Sequence, residues 1–434
     1  MRGFARRVRV SDALQWVDRH ARPVSATEQV ELAEASGRIL AENVVSPLDV
    51  PPFDRSAMDG YALRGDETTG ASSYNPLVFR LLGQSLPGRP FLGRVEPGTA
   101  VRIMTGAPLP DGADAVVPAE YAREVGSSVE ITLAVPPQRH VGHRGEDVLA
   151  GATVLQAGRR LRPQDVGLLA AVGRDRVCAR RRPRVRIVIT GNELATPGAE
   201  RSPFQIYDSN SAMLRALVHR DGGVIESLVH VSDDRHAIEN AMTRSGADIV
   251  LVSGGSSVGA EDHAPVVLRE RGELAIHGLA MRPSSPTGMG RIENWLVFLL
   301  PGNPVSCLCA YDFFAGRAIR RAAGRPATWP YPACRAVLTR KIASAIGRVD
   351  YCRVRLVETE PSAAHETELG ESILVADAGA GEPGAPRGRV EPLAVSGASV
   401  LSSTTRADGF VVVPESREGF APADQVTVFL YDLS

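Results

Sequence analysis

The stretch VRIVITGNEL, Val185 to Leu194, decides the fold: a β-branched apolar run stops at Thr-Gly and passes into a polar loop. Such a run reads as a buried strand whose C-terminal end opens into a turn. The pattern recurs twice downstream. DIVLV leads into SGGSSVGAED (Ser253 to Asp262), and WLVFLL leads into PGNPVS (Pro301 to Ser306). Helical stretches such as SAMLRALVHR, RHAIENAMTR and HAPVVLRER alternate with the apolar runs. That alternation specifies a doubly wound α/β sheet, expected over residues 183–325, with ligands at the strand C-termini.

Outside this block the pattern changes. DALQWVDRHA, VELAEASGRILAENV and PQDVGLLAAVG carry apolar residues at helical spacing and predict a helical linker domain from residues 1–50 and 155–182. Short apolar or alternating runs separated by Gly, Pro and Asp turns predict a β domain inserted over 51–154. Beyond Pro326, ACRAVLTRKI, YCRVRLVE, SILVAD, RVEPLAV, GFVVVP and QVTVFLY all read as strands, giving a C-terminal β barrel or sandwich over 326–434. Its AGAGEPGAPRG stretch, Ala378 to Gly388, reads as a hairpin tip.

Composition limits the function classes. The 434 residues suffice for several cores, and 49 basic against 50 acidic residues give no global field for nucleic acid or an acidic membrane. No segment approaches a membrane span, and the basic start lacks a signal-peptide apolar run, so a cytoplasmic location is expected. Five cysteines without C-x-x-C spacing argue against a disulfide framework or a structural zinc site, and Cys307 and Cys309 read as buried helix positions.

The three strand-end loops hold the candidate chemistry. Gly254, Gly255 and Gly259 permit a tight turn whose successive N–H groups suit a phosphate. Asp262 and Glu193 offer hard oxygen ligands for magnesium beside it. The same residues also serve as ordinary βα turns and first-turn charges. The chain lacks a P-loop, and no G-x-G-x-x-G follows a strand of the α/β block.

PPFDRSAMDGYAL (51–63), RIMTGAPLPDGADAVV (102–117), GEDV (145–148), RPRVRIVITGNEL (182–194), YDSNSAML (207–214), SGGSSVG with Asp262, and LPGNPVS (300–306) together resemble the molybdopterin molybdenumtransferases, which include the C-terminal domain of gephyrin. The resemblance implies an elongated homodimer that inserts molybdate into adenylylated molybdopterin and releases AMP, with magnesium on Asp262 and Glu193. It implies catalytic roles for Asp59, Thr105, Asp147, Glu193 and Asp262. Ligand binding is implied for Ser253, Gly254, Gly255, Ser257, Asp208, Asn210, Pro301, Gly302, Asn303, Arg282, Ser285 and Arg353. Asp54 reads as a turn residue. Transient contact with molybdopterin adenylyltransferase and with molybdoenzymes is implied as well.

The chain departs from that family where molybdate is expected. The usual M-K-P-G-K-P appears as MRPSSP, so Arg282 keeps one charge while Ser284 replaces the glycine and Ser285 the second lysine. Gly142 stands where an arginine is usual, with Arg139, His143 and Arg144 nearby, and Asn192 and Ser256 replace an aspartate and a valine. Each cation lost beside a dianion costs about 1.5–3 kcal/mol of charge-assisted bonding. A non-catalytic paralogue that binds molybdopterin or a partner, and an enzyme for another nucleotide-linked substrate, therefore stand beside the insertase reading.

Overall fold

The three apolar runs become adjacent parallel strands, Arg184–Thr190, Ile249–Ser253 and Trp295–Leu300. Val224–Val231 pairs in parallel on the other side of Arg184–Thr190, so strand order reverses there. Gly288–Ile292 and Glu273–His277 extend the far edge antiparallel, completing six strands. The structure, a computed structural model, describes residues 7–255, 262–357, 388–394 and 397–431.

Alternation along Arg184–Thr190 creates two cores. Val185, Ile187 and Ile189 pack with Leu214, Val218 and Phe314, whereas Val188 faces Ile238, Met242, Val250 and Val267. The sheet is therefore covered on both faces, as continuous apolar strands require. The helix Arg235–Thr243 starts where Asp234 accepts the Ala237 N–H at 2.9 Å, an N-cap bond. After Leu300 the chain enters Pro304–Ala310, makes a π turn at Tyr311–Ala315 and continues as Gly316–Ala322.

Chain contacts form two units, Met1–Ala26 with Arg181–Ser434, and Thr27–Arg180. The expected linker helices are only partly formed. The first, Val10–His20, buries Ala13, Trp16 and Val17 in the core of the α/β unit and does not join a linker domain. VELAEASGRILAENV is a helix only at Leu32–Ala35; Thr27–Glu31 is a strand paired with Arg176–Arg180, and Val44–Val45 pairs with Thr153–Leu155. Gly37 at φ +77° turns the chain out of the helix, and backbone pairing with distant residues overrides the local apolar spacing. Pro163–Ala171 is helical as expected. The inserted segment forms a six-stranded sheet in the order Ala115–Pro118, Gly60–Leu63, Thr99–Ile103, Leu77–Ser85, Ser128–Ile131, Ala122–Val125.

The C-terminal strands close into a barrel. Val349–Val357, Arg389–Ala394, Ala333–Leu338, Gln425–Leu430 and Gly409–Val413 pair in a ring, the last returning to the first. SILVAD and the hairpin tip up to residue 387 lie outside the described residues. No helix among the described residues is long and apolar enough to cross a membrane.

A buried charge cluster marks the π turn. Asp312, fully buried, pairs with Arg220 at 2.9 Å, and its carbonyl accepts Trp329 Nε1–H at 3.0 Å. Burial pushes the Asp312 carboxyl upward, and Arg220 opposes that shift. Replacing Arg220 with methionine strands a buried charge, with an expected cost of about 3–5 kcal/mol in the unfolding free energy from denaturant titration. The cost shrinks in acid, because a proton neutralises Asp312 in the folded state; a loss that is flat with pH refutes this account.

Candidate active site

The loops after Thr190, Ser253 and Leu300 meet at one cavity of about 560 Å³. It lies at the C-terminal ends of parallel strands where strand order reverses, the position at which such sheets hold ligands. Glu193, Asp208, Asn210, Ser253, Gly254, Gly255, Asp262, Pro301, Gly302 and Asn303, all proposed from sequence, line it together.

Asn210 joins these loops. Its Nδ2 group donates to Ser253 Oγ at 2.9 Å and to the Gly302 carbonyl at 2.7 Å. The carbonyl contact fixes the amide orientation, since Oδ1 would face a second acceptor there. Gly254, at φ +102°, sits so close to the first loop that an added methyl would lie 2.4 Å from the Thr190 carbonyl. Its N–H donates to the Leu300 carbonyl at 3.2 Å. Side chains and backbone thus tie three strand ends into one wall.

Four carboxylates line the cavity, Glu193, Asp208, Asp233 and Asp262, and among the described lining residues there is no lysine or arginine. Asp208 is 2% exposed; it accepts the Ser211 N–H at 3.0 Å and bonds His230 Nε2 at 2.8 Å. Burial pushes its carboxyl up, but the Ser211 and His230 donors outweigh this and hold it below the usual carboxylate range. Asn192 and Asp233 clasp each other, N–H to carboxylate at 3.0 Å and, in return, N–H to amide oxygen at 3.3 Å. The Asn192 departure therefore faces Asp233 rather than solvent alone. Cys307 is buried, its thiol pushed up to about 12 by burial, which makes it a packing residue.

Sequence reasoning missed Asp233, His230, Tyr207 and Ser399. Asp233 follows the fourth parallel strand, so strand order would have found it. His230 carried no local signal, because Asp208 reaches it only across the sheet edge.

The remaining candidates stand elsewhere. Ser256, Ser257 and Gly259 lie outside the described residues. Arg282 pairs with the buried Asp350, Ser285 Oγ donates to the Leu279 carbonyl at 3.1 Å, and only Pro286 of that segment lines the cavity. Arg353 is fully buried on the barrel strand Val349–Val357. In the unit Thr27–Arg180, Asp59 Oδ1 accepts the Thr105 N–H and hydroxyl, each at 2.7 Å, so two candidates are brought together. The hydroxyl and the N–H hold the Asp59 carboxyl below its usual range. Asp147 is exposed, its N–H bonded to the Val50 carbonyl. Asp54 Oδ1 accepts the Arg144 N–H at 2.8 Å, a loop-fixing role. Among the suggested replacements for the missing arginine at Gly142, Arg144 is committed to Asp49 at 2.6 Å, while Arg139 and His143 are exposed.

The fold and site define an α/β ligand-binding enzyme with an inserted β domain and a C-terminal barrel, built around an acidic strand-end cavity. Residues 8–173 match the MoeA N-terminal region (domain I and II), 186–321 a probable molybdopterin binding domain, and 383–431 the MoeA C-terminal region (domain IV). Molybdopterin molybdenumtransferase 2 of Mycobacterium tuberculosis is 39% identical over 78% of this chain and 84% of its own. The molybdopterin molybdenumtransferase of Haemophilus influenzae is 31% identical over 93% of each. The crystal structure of the molybdopterin biosynthesis MoeA protein from Pyrococcus horikoshii superposes with a TM-score of 0.79 at 31% identity, covering 99% of this chain and 100% of that one. The chain belongs to the molybdopterin molybdenumtransferase family.

Two outcomes follow from the geometry. Gly254→Ala is expected to cost about 1–3 kcal/mol and to distort the cavity, whereas Gly302→Ala, whose methyl would meet Gly254 Cα at an ordinary 3.6 Å, folds with parental stability. Equal melting points for the two variants would contradict the close approach. Thr105→Val removes the hydroxyl that holds Asp59 down, so the Asp59 carboxyl should titrate at higher pH in a carbon-detected NMR titration. No shift would mean that the hydroxyl bond does not form.

Proposed function

We propose that this chain is a molybdopterin molybdenumtransferase: it inserts molybdate into adenylylated molybdopterin and releases AMP, a step of molybdenum cofactor biosynthesis. The observation that carries the reading is the meeting of ten sequence-proposed residues in one cavity at the strand ends, in a chain of this family. The non-catalytic alternative is not favoured, because the chain keeps its acids in place and its relatives carry the transferase name.

A cavity lined by four carboxylates repels phosphates unless a cation intervenes. Its hard oxygen donors fit magnesium, and Glu193 and Asp262 would hold it. No group of three or more metal-ligating side chains stands together among the described residues, which suits an ion held by one or two carboxylates plus substrate phosphates and water. When bound, such an ion would supply positive charge to the pyrophosphate linkage whose cleavage releases AMP. The chain's own contribution is to orient the ligand. Gly254 and Gly255 let backbone approach the phosphates, and Asn210 holds the Ser253 and Gly302 loops in register.

Asp59, Thr105 and Asp147 complete the proposal. They belong to the unit Thr27–Arg180, and we assign them to the cleft of a homodimer, where they face the cavity of a second copy. The dimer acts in the cytoplasm, receives its substrate from molybdopterin adenylyltransferase and passes the product to molybdoenzymes.

Asp262→Asn keeps size and one acceptor but loses the charge that a hard cation requires, so magnesium-dependent AMP release should be abolished in a folded protein. Asp59→Asn should be inactive as well. Mixed after unfolding and refolding, the two inactive chains should recover roughly a quarter of parental activity, because half the dimers are mixed and each then has one intact site. Parental AMP release by Asp262→Asn would remove that residue from the metal site. Absence of recovery on mixing would remove the shared cleft.

A further inference from the structure

His230 stands where strand alternation calls for an apolar residue. It is the penultimate residue of Val224–Val231 and pairs in register with Ile189. Val229 and Val231 pack on one face of the sheet, whereas Leu228 and Ile189 pack on the other with Leu214 of the helix Asn210–Arg220. Alternation sends His230 to that second face, where an imidazole needs a polar partner. The partner is Asp208, two residues before the helix.

This bond completes the hydrogen bonding of a buried carboxylate. One oxygen, Oδ1, accepts the Ser211 N–H at 3.0 Å, Oδ2 faces His230 Nε2 at 2.8 Å, and the Asp208 N–H donates to the Ala195 carbonyl at 3.0 Å. Against a carboxylate, Nε2 carries the proton in the neutral ring as in the cation. Asp208 thus ties together the strand end at His230, the segment after Glu193 and the start of the helix that carries Asn210. Both of its oxygens face protein donors, although the residue lines the cavity. His230 does not line the cavity, so it acts there through Asp208.

An acidic cavity that takes a hard cation must limit how many carboxylates reach the ion. Magnesium keeps several waters and is held by one or two carboxylates, whereas additional ones suit a larger ion with more flexible coordination, such as calcium. We propose that His230 is a positioning residue of the cation site: by occupying Asp208 Oδ2 it withholds that carboxylate from the ion and leaves coordination to Glu193 and Asp262. The inference rests on the reading of the cavity as a magnesium-assisted site. Asp233 is restrained in a similar manner, since its carboxylate accepts the Asn192 N–H at 3.0 Å. The four acids thereby divide into two that brace the loops and two that meet the ion.

Terbium(III), a hard cation of calcium's size, reports on the full chain without substrate, because Tyr207 on the cavity wall can sensitise its luminescence. The signal lost in Asp262→Asn defines the cavity component. His230→Leu suits the apolar face, and the ring it replaces is 41% exposed, so the fold should survive. This variant should bind terbium roughly tenfold more tightly, and luminescence lifetimes in H2O and D2O should count about one coordinated water fewer. His230→Gln, which restores an N–H donor, should match the parent, and Asp208→Asn added to His230→Leu should remove the gain. A histidine that serves only packing would change stability and leave the water count alone. Parental affinity and water count in a folded His230→Leu, a His230→Gln that behaves as the leucine variant, a gain that survives Asp208→Asn, or a parent with no component dependent on Asp262 overturns the proposal. Magnesium-dependent AMP release is measured separately. Release by the parent with unaltered terbium binding in His230→Leu sinks the positioning role and leaves the insertase reading standing; altered terbium binding without release does the reverse.

Discussion

The site depends on how closely the loop after Ile249–Ser253 approaches the loop after Arg184–Thr190. With hydrogen in place of a methyl at Gly254, the backbone comes against the Thr190 carbonyl, and any side chain would force the two strand ends apart. Asn210 can then reach Ser253 and Gly302 at once, because both acceptors lie within the span of a single amide. The acids of the cavity take their positions from this wall. Glu193 follows the first loop, Asp262 ends the second and Asp208 precedes the helix that carries Asn210.

Charge is divided between two places. The cavity gathers carboxylates, and the seam between the α/β domain and the barrel gathers arginines on Asp350. The pair of Arg220 with the fully buried Asp312 is of another kind, since it anchors the π-turned helix.

Most of the α/β domain was legible because its signals are local: apolar strands of five to seven residues ending at Gly or Pro, then helical spacing. Glu193, Gly254, Gly255 and Asp262 were legible for the same reason, being strand-end loop positions, whereas the other cavity residues, among them Asp208 and Asn210 at the start of the helix Asn210–Arg220, were reached through the family resemblance. VELAEASGRILAENV misled because Thr27–Glu31 gains more from pairing with Arg176–Arg180 than from one more helical turn. The choice between barrel and sandwich was not legible either. It rests on Gly409–Val413 pairing back to Val349–Val357, a closure that leaves no mark on either segment.

By itself the sequence determined the type and order of the elements and the chemistry offered at each loop, because backbone propensity, side-chain alternation and turn residues act over a few neighbouring positions. Only the tertiary structure decided how those groups are partnered. It put His230 on Asp208, Asn192 against Asp233, and two arginines on Asp350, joining residues far apart in the chain. Hydrogen bonds and ion pairs act over a few ångströms of space, and the distance between two side chains is set by the packing of whole strands.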